Sequence, residues 1–288
     1  MKHFLRLMRI HQYVKNLFIF LPIFFGLQIT NLQILLKTSI TFLVFCLVAS
    51  AVYIFNDYFD CEEDKKHSVK RDRPIASGAV SKKAALVMMA LLAIAGLGGA
   101  FLLDTMVLLI MLIYIVMNVL YTVVLKHIAI IDVVVIAVGF VLRLFIGSVE
   151  PEVHLSMWII IMTFLLALFL AFGKRREDVI LYLEKGDKAR KVIEGYNIEF
   201  LNVAMIIMSA VIIMSYIMYT ISPAIQERFH SDKIYLTVLW VLLGILRYLQ
   251  QTLVFNNTGS PTEFLLKDRF LQLVMAGWII SFWVLIYL

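Results

Sequence analysis

Charged residues and cysteines are both scarce in this sequence of 288 residues. Asp, Glu, Lys and Arg make up 16% of the chain, whereas soluble domains carry about 25%. The two cysteines, Cys46 and Cys61, are too few for a disulfide framework and lack the spacing of metal ligands. Only 13 glycines and 5 prolines are present, which excludes a collagen-like chain. A disordered chain and a disulfide-stapled secreted fold are excluded by the same composition.

Apolar residues account for 62% of the chain and give it a mean hydropathy of +0.93. They cluster into runs of about 17–23 residues, which are long enough to cross a bilayer as a helix. We therefore predict an all-α integral membrane protein that forms a single domain over 1–288. Pro22 interrupts the first run and is expected to kink its helix. The nine predicted spans lie near 15–30, 38–56, 84–103, 105–124, 127–148, 155–173, 200–221, 234–254 and 270–288.

Lys and Arg are distributed unevenly between the two sides of these spans. Twenty-one of the 26 fall in segments on the same side as the N-terminus, and three fall in the opposite loops. The positive-inside rule then predicts a cytoplasmic N-terminus and, after nine crossings, an outer C-terminus in the cell membrane. This topology accounts for the formal net charge of +6 without nucleic acid as a partner. The main cytoplasmic loops are predicted at 57–83, 174–199 and 255–269.

An acidic run opens the first of these loops. If the preceding helix continues, Asn56, Asp57, Asp60 and Asp64 project towards one face, because three and four residues separate them along the helix. Carboxylates on one stripe repel one another unless a cation lies between them, and Mg²⁺ prefers such hard oxygen ligands. The spacing also fits an acidic helix end that is solvated among lipid headgroups, so both interpretations stay open.

A basic run follows and contains Lys70, Arg71 and Arg73. An acidic run beside a basic run is what a Mg²⁺–diphosphate site requires. The carboxylates hold the metal, while Lys and Arg neutralise the remaining phosphate charge. The alternative for the basic run is contact with anionic lipid headgroups, and both roles can hold at once.

The two runs together resemble the first aspartate-rich motif of the UbiA superfamily of intramembrane prenyltransferases. The motif reads Asn56-Asp57-Tyr58-Phe59-Asp60-x-x-x-Asp64, then Lys70-Arg71-Asp72-Arg73-Pro74-Ile75-Ala76-Ser77-Gly78. Further stretches resemble the decaprenyl-phosphate phosphoribosyltransferase branch of that superfamily, and the similarity runs nearly end to end. These stretches lie at 12–16, 121–127, 131–133, 139–143, 167–177 and 259–269.

This resemblance implies transfer of a 5-phosphoribosyl group from phosphoribosyl diphosphate to a polyprenyl phosphate, with release of diphosphate. It implies Mg²⁺ held by Asp57, Asp60 and Asp64, while Asn56 orients a ribose hydroxyl or a metal-bound water. Aromatic-prenylating relatives carry a second aspartate-rich motif where this chain is basic over 174–176, and a basic cluster fits an additional phosphate better. The residues expected to bind substrate are Lys15, Asn16, Lys70, Arg71, Arg73, Tyr121, Lys126, Lys174, Arg175, Arg176 and Arg247.

Two other functions stay open from the sequence. A UbiA-type enzyme could instead move a polyprenyl chain from its diphosphate onto an aromatic or other small acceptor. A transporter could carry charges such as Arg143 inside its helices, but no inverted repeat with paired broken helices is visible. We expect Arg143 to serve the structure, with Asp132 as a candidate ion-pair partner. The sequence sets no oligomeric state.

Overall fold

The structure is a computed structural model that describes residues 2–66, 70–149, 153–185, 191–256, 264–265 and 267–287. The regular structure in these ranges is helical throughout. A 3-10 helix, Ile10–Phe20, lies between α1 and α2, and a π-helical turn, Gln250–Val254, follows α11. The α-helices are α1 Lys2–Met8, α2 Leu21–Phe25, α3 Leu32–Phe59, α4 Cys61–Asp64, α5 Lys82–Leu103, α6 Thr105–Val123, α7 Ile131–Val149, α8 Met157–Lys185, α9 Ile198–Thr220, α10 Pro223–Phe229, α11 Val238–Leu249 and α12 Arg269–Tyr287.

Eight helical segments of the described chain are long and apolar enough to cross a membrane, as expected of a multi-pass membrane protein. They match the second to ninth predicted spans. The first predicted span, 15–30, instead falls on two short elements that together cover Ile10–Phe25. Pro22 lies in the first turn of α2, where the helix needs no backbone N–H from it. The count of nine crossings stays a prediction.

Helix α8 continues past the predicted end of the sixth span. We expected a loop from 174 onwards, whereas α8 reaches Lys185. The added residues include Lys, Arg, Leu and Glu, which are strong helix formers. The basic cluster 174–176 therefore lies on a helix, where successive side chains point about 100° apart. Residues 186–190 of that predicted loop lie outside the described residues, as do 67–69 and 257–263 of the other two loops.

Four helices begin with a side chain that accepts hydrogen bonds from their free backbone N–H groups. Asn31, Ser81, Asp104 and Asn197 cap α3, α5, α6 and α9 in this way. Asp104 also ends α5, and its carboxylate accepts from the N–H of Met106 at 2.6 Å. One polar residue between two apolar runs is thus enough to end one membrane helix and begin the next.

The chain divides into two compact units, which are described separately. The first comprises Met1–Ser156 with Asp187–Val192, and the second comprises Met157–Gly186 with Ile193–Leu288. In the second unit, the indole N–H of Trp278 donates to the Tyr216 hydroxyl at 2.8 Å. The prediction of a single domain over 1–288 stays a prediction.

Helix α3 is central to the first unit. Phe45 and Val48 of α3 are fully buried in a core that also contains Met111 of α6. Gly96 lets α5 approach α3 closely, because a Cβ there would lie 2.6 Å from a methyl carbon of Val48. This packing places the carboxyl end of α3 beside the segments that follow α4 and α6.

Arg143 is buried in the same unit among neutral partners. It donates to the Asn16 side chain at 3.0 Å, to the Gly139 carbonyl at 2.6 Å and to the Tyr114 hydroxyl at 3.3 Å. The expected structural role fits these contacts, but the candidate partner Asp132 is not among them. Asn16, predicted to bind substrate, is 0% exposed and braces this arginine, so it lies in the packed interior.

Gly147 of α7 marks the tightest approach in the first unit. A Cβ at this position would collide with the backbone carbonyl of Ile19, which cannot move as a side chain can. We expect Gly147→Ala to lower the thermal unfolding midpoint of the purified protein in detergent, because α7 and the 3-10 helix must separate. Gly98→Ala is the matched control, since a Cβ there meets nothing within 4 Å and alanine favours helix by about 0.5–1 kcal/mol. Equal midpoints for the two variants would contradict this packing.

Candidate active site

The acidic residues lie on a nearly continuous helical path at the end of α3. The Asp60 N–H donates to the Asn56 carbonyl at 2.9 Å, and the Asp64 N–H donates to the Asp60 carbonyl at 2.8 Å. The predicted continuation of the helix is therefore confirmed through α4. Asp57 is 2% exposed and Asp64 is 4% exposed, so two of the carboxylates are almost entirely removed from solvent.

Three basic side chains neutralise these carboxylates. Arg73 Nη1 lies 2.6 Å from Asp64 Oδ2 and 3.1 Å from Asp57 Oδ1, and one guanidinium nitrogen thus joins two acids. Lys126, which is buried just beyond α6, forms an ion pair with Asp60. Arg73 and Lys126 were both predicted to bind substrate, and the structure brings both to the acidic residues.

Arg9 is the third basic partner, and our sequence analysis did not single it out. Its guanidinium pairs with Asp57 and lies 5.3 Å from the centre of the Tyr53 ring. The two partners are 48 residues apart in the chain, and no local pattern in the sequence indicates such a contact. A general signal was present, because a buried carboxylate needs a cation and the N-terminal segment is basic.

The backbone at Arg9 is held in an unusual conformation. Its φ of 55° lies in the left-handed region, which non-glycine residues adopt infrequently and mostly where surrounding contacts impose it. Ser50 of α3 supplies those contacts on both sides of Arg9. The Ser50 hydroxyl lies 2.9 Å from the Met8 carbonyl and 2.8 Å from the Tyr13 hydroxyl. Ser50 thereby fixes the turn that directs Arg9 to Asp57.

Asn56 lies beside the carboxylates and contacts the hydroxyl of Thr122 on α6. The same hydroxyl donates to the Asn118 carbonyl at 2.9 Å. Thr122 was not predicted, although it is the neighbour of Tyr121, which was. The end of α6 thus reaches the site through both Thr122 and Lys126.

Burial raises the pKa of the Asp64 carboxyl above its ordinary value, even though the Arg73 guanidinium acts in the opposite direction. The nearby Glu62 behaves differently. Hydrogen bonds from Lys65 and Lys82 hold the pKa of this exposed carboxyl below its ordinary value. Asp64 therefore occupies a site that favours additional positive charge, and Glu62 does not.

The residues present partly fit a divalent cation. Asp57 and Asp64 offer hard oxygens that converge on one cationic nitrogen, and one or two carboxylates are the protein ligands that usually hold Mg²⁺. The Asp60 carboxylate is directed to Lys126 instead. In the part of the chain that the structure describes, no three His, Cys, Asp or Glu side chains form a ready metal site. Two of the three predicted metal ligands, Asp57 and Asp64, therefore lie together, and Asp60 is turned away from them.

Other predicted substrate residues of the first unit lie around this cluster. Lys70 and Arg71 lie on the short 3-10 helix Lys70–Asp72. Lys70 is close enough for its charge to act on Asp64, and Arg71 is exposed. Lys15 is half-buried on the 3-10 helix Ile10–Phe20, and Tyr121 is half-buried on α6. The substrate roles of these residues stay predictions.

The remaining predicted substrate residues belong to the second unit. Lys174 is exposed on α8, while Arg175 is buried and pairs with Asp178. Arg247 forms an ion pair with Asp268, with Nη2 and Oδ2 2.7 Å apart. Burial acts to raise the pKa of Asp268, but hydrogen bonds from Arg247 and from the Leu271 N–H outweigh it and hold the pKa low. Arg176 is buried and donates hydrogen bonds to uncharged acceptors.

We expect Ser50→Ala to destabilise the protein because it removes both contacts that hold the Arg9 turn. With about 1 kcal/mol for each hydrogen bond, the free energy of unfolding should fall by about 1–3 kcal/mol. Ser39→Ala is the matched control, since the Ser39 hydroxyl on the same helix bonds only to the Leu35 carbonyl one turn away. Thermal unfolding in detergent measures the stability of both variants. A Ser50 variant as stable as the Ser39 variant would show that the turn does not depend on Ser50.

Comparison with known proteins agrees with this geometry. The model of the UbiA prenyltransferase family matches residues 19–179. A decaprenyl-phosphate phosphoribosyltransferase from Mycolicibacterium smegmatis is 30% identical over 285 residues, covering 96% of this chain and 89% of the relative. One from Corynebacterium glutamicum is also 30% identical, covering 99% of this chain and 86% of the relative.

Solved structures have the same fold. A UbiA homolog from Archaeoglobus fulgidus, bound to DMAPP and Mg²⁺, gives a TM-score of 0.70 at 18% identity and covers 99% of both chains. The apo structure of a UbiA homolog from Aeropyrum pernix gives a TM-score of 0.70 at 14% identity, covering 94% of this chain and 97% of that one. The chain belongs to the UbiA prenyltransferase family.

Proposed function

We propose that this chain transfers a 5-phosphoribosyl group from phosphoribosyl diphosphate to a polyprenyl phosphate of the decaprenyl-phosphate type. The observation that carries the proposal is the meeting of Asp57 and Asp64 at one Arg73 nitrogen, beside Arg9 and Lys126. Such a cluster suits a metal-bound diphosphate. The choice of donor and acceptor rests on the relatives that are named decaprenyl-phosphate phosphoribosyltransferases.

The metal that suits this site is Mg²⁺, held by Asp57 and Asp64 with Asp60 joining them. Mg²⁺, when bound, offsets negative charge on the leaving diphosphate. Asp60 must turn from Lys126 to take part, and Arg73 must leave the position between the other two acids. Asn56 is neutral and is suited to orient a ribose hydroxyl or a metal-bound water.

The basic side chains then have a second task. With Mg²⁺ held by the carboxylates, Arg9, Arg73 and Lys126 would be able to donate hydrogen bonds to phosphate oxygens. Charge-assisted bonds of this kind are strongest where water is excluded, as it is around Asp57 and Asp64. The side chains that balance the acids without substrate thus become the side chains that bind it.

The acceptor requires no dedicated base from the protein. A phosphate monoester carries about 1.5–2 negative charges near pH 7, so its oxygen can attack the anomeric carbon directly. His127, beside Lys126, is exposed. His67 lies outside the described residues.

The membrane arrangement completes the proposal. We place the protein in the inner or plasma membrane with nine crossings, a cytoplasmic N-terminus and an outer C-terminus. The distribution of Lys and Arg supports this orientation. It puts the carboxyl end of α3, and therefore the site, at the cytoplasmic face where phosphoribosyl diphosphate is available.

The activity test is release of diphosphate by the purified protein from phosphoribosyl diphosphate, with and without Mg²⁺ and a polyprenyl phosphate. We expect release to need both, and Asp57→Asn to reduce it at least about 100-fold through loss of charge stabilisation. Glu62→Gln is the matched control, because this carboxylate is nearby but exposed and paired with Lys65 and Lys82. Turnover of a polyprenyl diphosphate with an aromatic acceptor, and none of phosphoribosyl diphosphate, would reject the proposal.

The raised pKa of Asp64 predicts how Mg²⁺ binding depends on pH. Because the folded-state pKa lies above the unfolded one, this group favours folding at low pH and disfavours it as pH rises through the folded value. Mg²⁺ replaces the proton, so its affinity should increase as pH rises above the ordinary range of a carboxyl, about pH 4. The measurement is the Mg²⁺-induced rise in unfolding midpoint at each pH. Asp64→Asn should reduce the dependence to that of the remaining carboxylates, and an unchanged dependence in that variant would exclude Asp64 as a ligand.

A further inference from the structure

Arg176 is a buried cation with neutral partners. Its side chain lies on α8 and is 5% exposed. Nε donates to Asn202 Oδ1 at 2.7 Å, and Nη1 donates to the Thr252 carbonyl at 2.6 Å and to Asn256 Oδ1 at 2.9 Å. All three acceptors are uncharged, and all belong to the second unit together with Arg176.

The other two arginines of this unit that were predicted to bind substrate differ from Arg176 in their charge balance. Arg175 pairs with Asp178, and Arg247 pairs with Asp268. Within the described residues, no carboxylate forms an ion pair with Arg176. A buried charge without a counter-charge is unfavourable. Arg143 of the first unit offsets this with neutral acceptors on all three of its nitrogens, whereas at Arg176 a ligand can supply the missing charge.

Two irregular stretches of backbone provide the acceptors for Arg176. Thr252 lies in the π-helical turn Gln250–Val254, a rare conformation that occurs frequently at functional sites. Asn256 has a φ of 49°, in the left-handed region that non-glycine residues seldom adopt. Two uncommon backbone conformations, four residues apart, thus supply acceptors to one guanidinium.

This arrangement leaves one edge of the guanidinium available. Arginine has five N–H donors, and the three bonds use the one on Nε and both on Nη1. Neither N–H of Nη2 has a partner in the described part of the chain. A guanidinium that is anchored on one edge, with its charge unbalanced, is preorganised for an oxyanion on the other.

We propose that Arg176 forms a binding site for a phosphate monoester in the second unit, with Asn202, Thr252 and Asn256 as its positioning residues. The identity of the monoester rests on the proposed function, which supplies two sources. One is the 5-phosphate of the ribosyl donor, and the other is the phosphate of the lipid acceptor. The proposal separates Arg176 from Arg175 and Arg247, whose charges are already balanced.

Direct binding to the purified full-length chain in nanodiscs tests this site. The probes are ribose 5-phosphate and farnesyl phosphate, with Mg²⁺–diphosphate as the reference ligand for the carboxylate site. Arg176→Gln should weaken one of the two monoesters at least about 10-fold, as expected for a charged hydrogen bond, and leave Mg²⁺–diphosphate unchanged. The monoester that is weakened identifies the source. Arg228→Gln, which removes an arginine from α10, should change neither.

A second variant distinguishes an anion site from a structural brace. Asn202→Asp retains an oxygen for Arg176 Nε and adds the missing counter-charge, so the fold should persist while monoester binding weakens by a similar factor. If Arg176 were only a brace, Asn202→Asp would strengthen its anchoring and leave binding unaltered. Wild-type affinity for both monoesters in this variant overturns the proposal, even if Arg176→Gln does not fold.

The outcome is independent of the activity test. If the protein binds a monoester through Arg176 but shows no phosphoribosyl transfer, the site is supported and the proposed function is rejected. If the protein transfers phosphoribosyl groups but its monoester affinity is unchanged by Asn202→Asp, the function is supported and this site is rejected.

Discussion

The need to neutralise carboxylates in a nearly dry environment governs the first unit. Asp57 and Asp64 are almost fully buried, and removal of the partner of a buried charge costs about 3–5 kcal/mol. Both carboxylates therefore need a cationic partner in the folded protein. Arg9, Arg73 and Lys126 come from the N-terminal segment, from the loop after α4 and from the end of α6. The same ion pairs that stabilise the acids thus hold three distant parts of the chain against α3.

This constraint also explains how a substrate could be accepted at low cost. A Mg²⁺–diphosphate brings both a cation for the acids and anions for the bases. Each buried charge can then exchange its protein partner for a substrate partner, and none is left unpaired. A site built in this way is stable without substrate and is not blocked when substrate arrives, provided that the basic side chains can turn. Arg73, shared between two acids, is the side chain on which this exchange depends most.

The sequence predicted those features that depend on local patterns. Hydrophobic runs located the second to ninth apolar helices, and the spacing of Asn56 to Asp64 predicted their common face. The first run was harder, because Pro22 can either kink a long helix or begin a short one, and the structure has the short helix. Helix α8 is longer than predicted because charged residues at the end of a hydrophobic run are still good helix formers.

Features that depend on distant contacts could not be predicted from the sequence. Arg9 and Asp57 are 48 residues apart, and Asn56 and Thr122 are 66 residues apart. The basic residues at 175, 176 and 247 look alike in the sequence, yet among the residues that the structure describes two have carboxylate partners and Arg176 has none. Asn16 was predicted to bind substrate from the resemblance of 12–16; the structure shows it fully buried against Arg143, and its substrate role stays a prediction.

The mass of the lipid product tests the central claim most directly. Purified protein with Mg²⁺, phosphoribosyl diphosphate and a polyprenyl phosphate should convert the lipid into a species heavier by one phosphoribosyl group, as measured by mass spectrometry. A lipid phosphate of unchanged mass, together with transfer of a prenyl chain from its diphosphate to a small acceptor, would contradict the account and leave only the fold and the family.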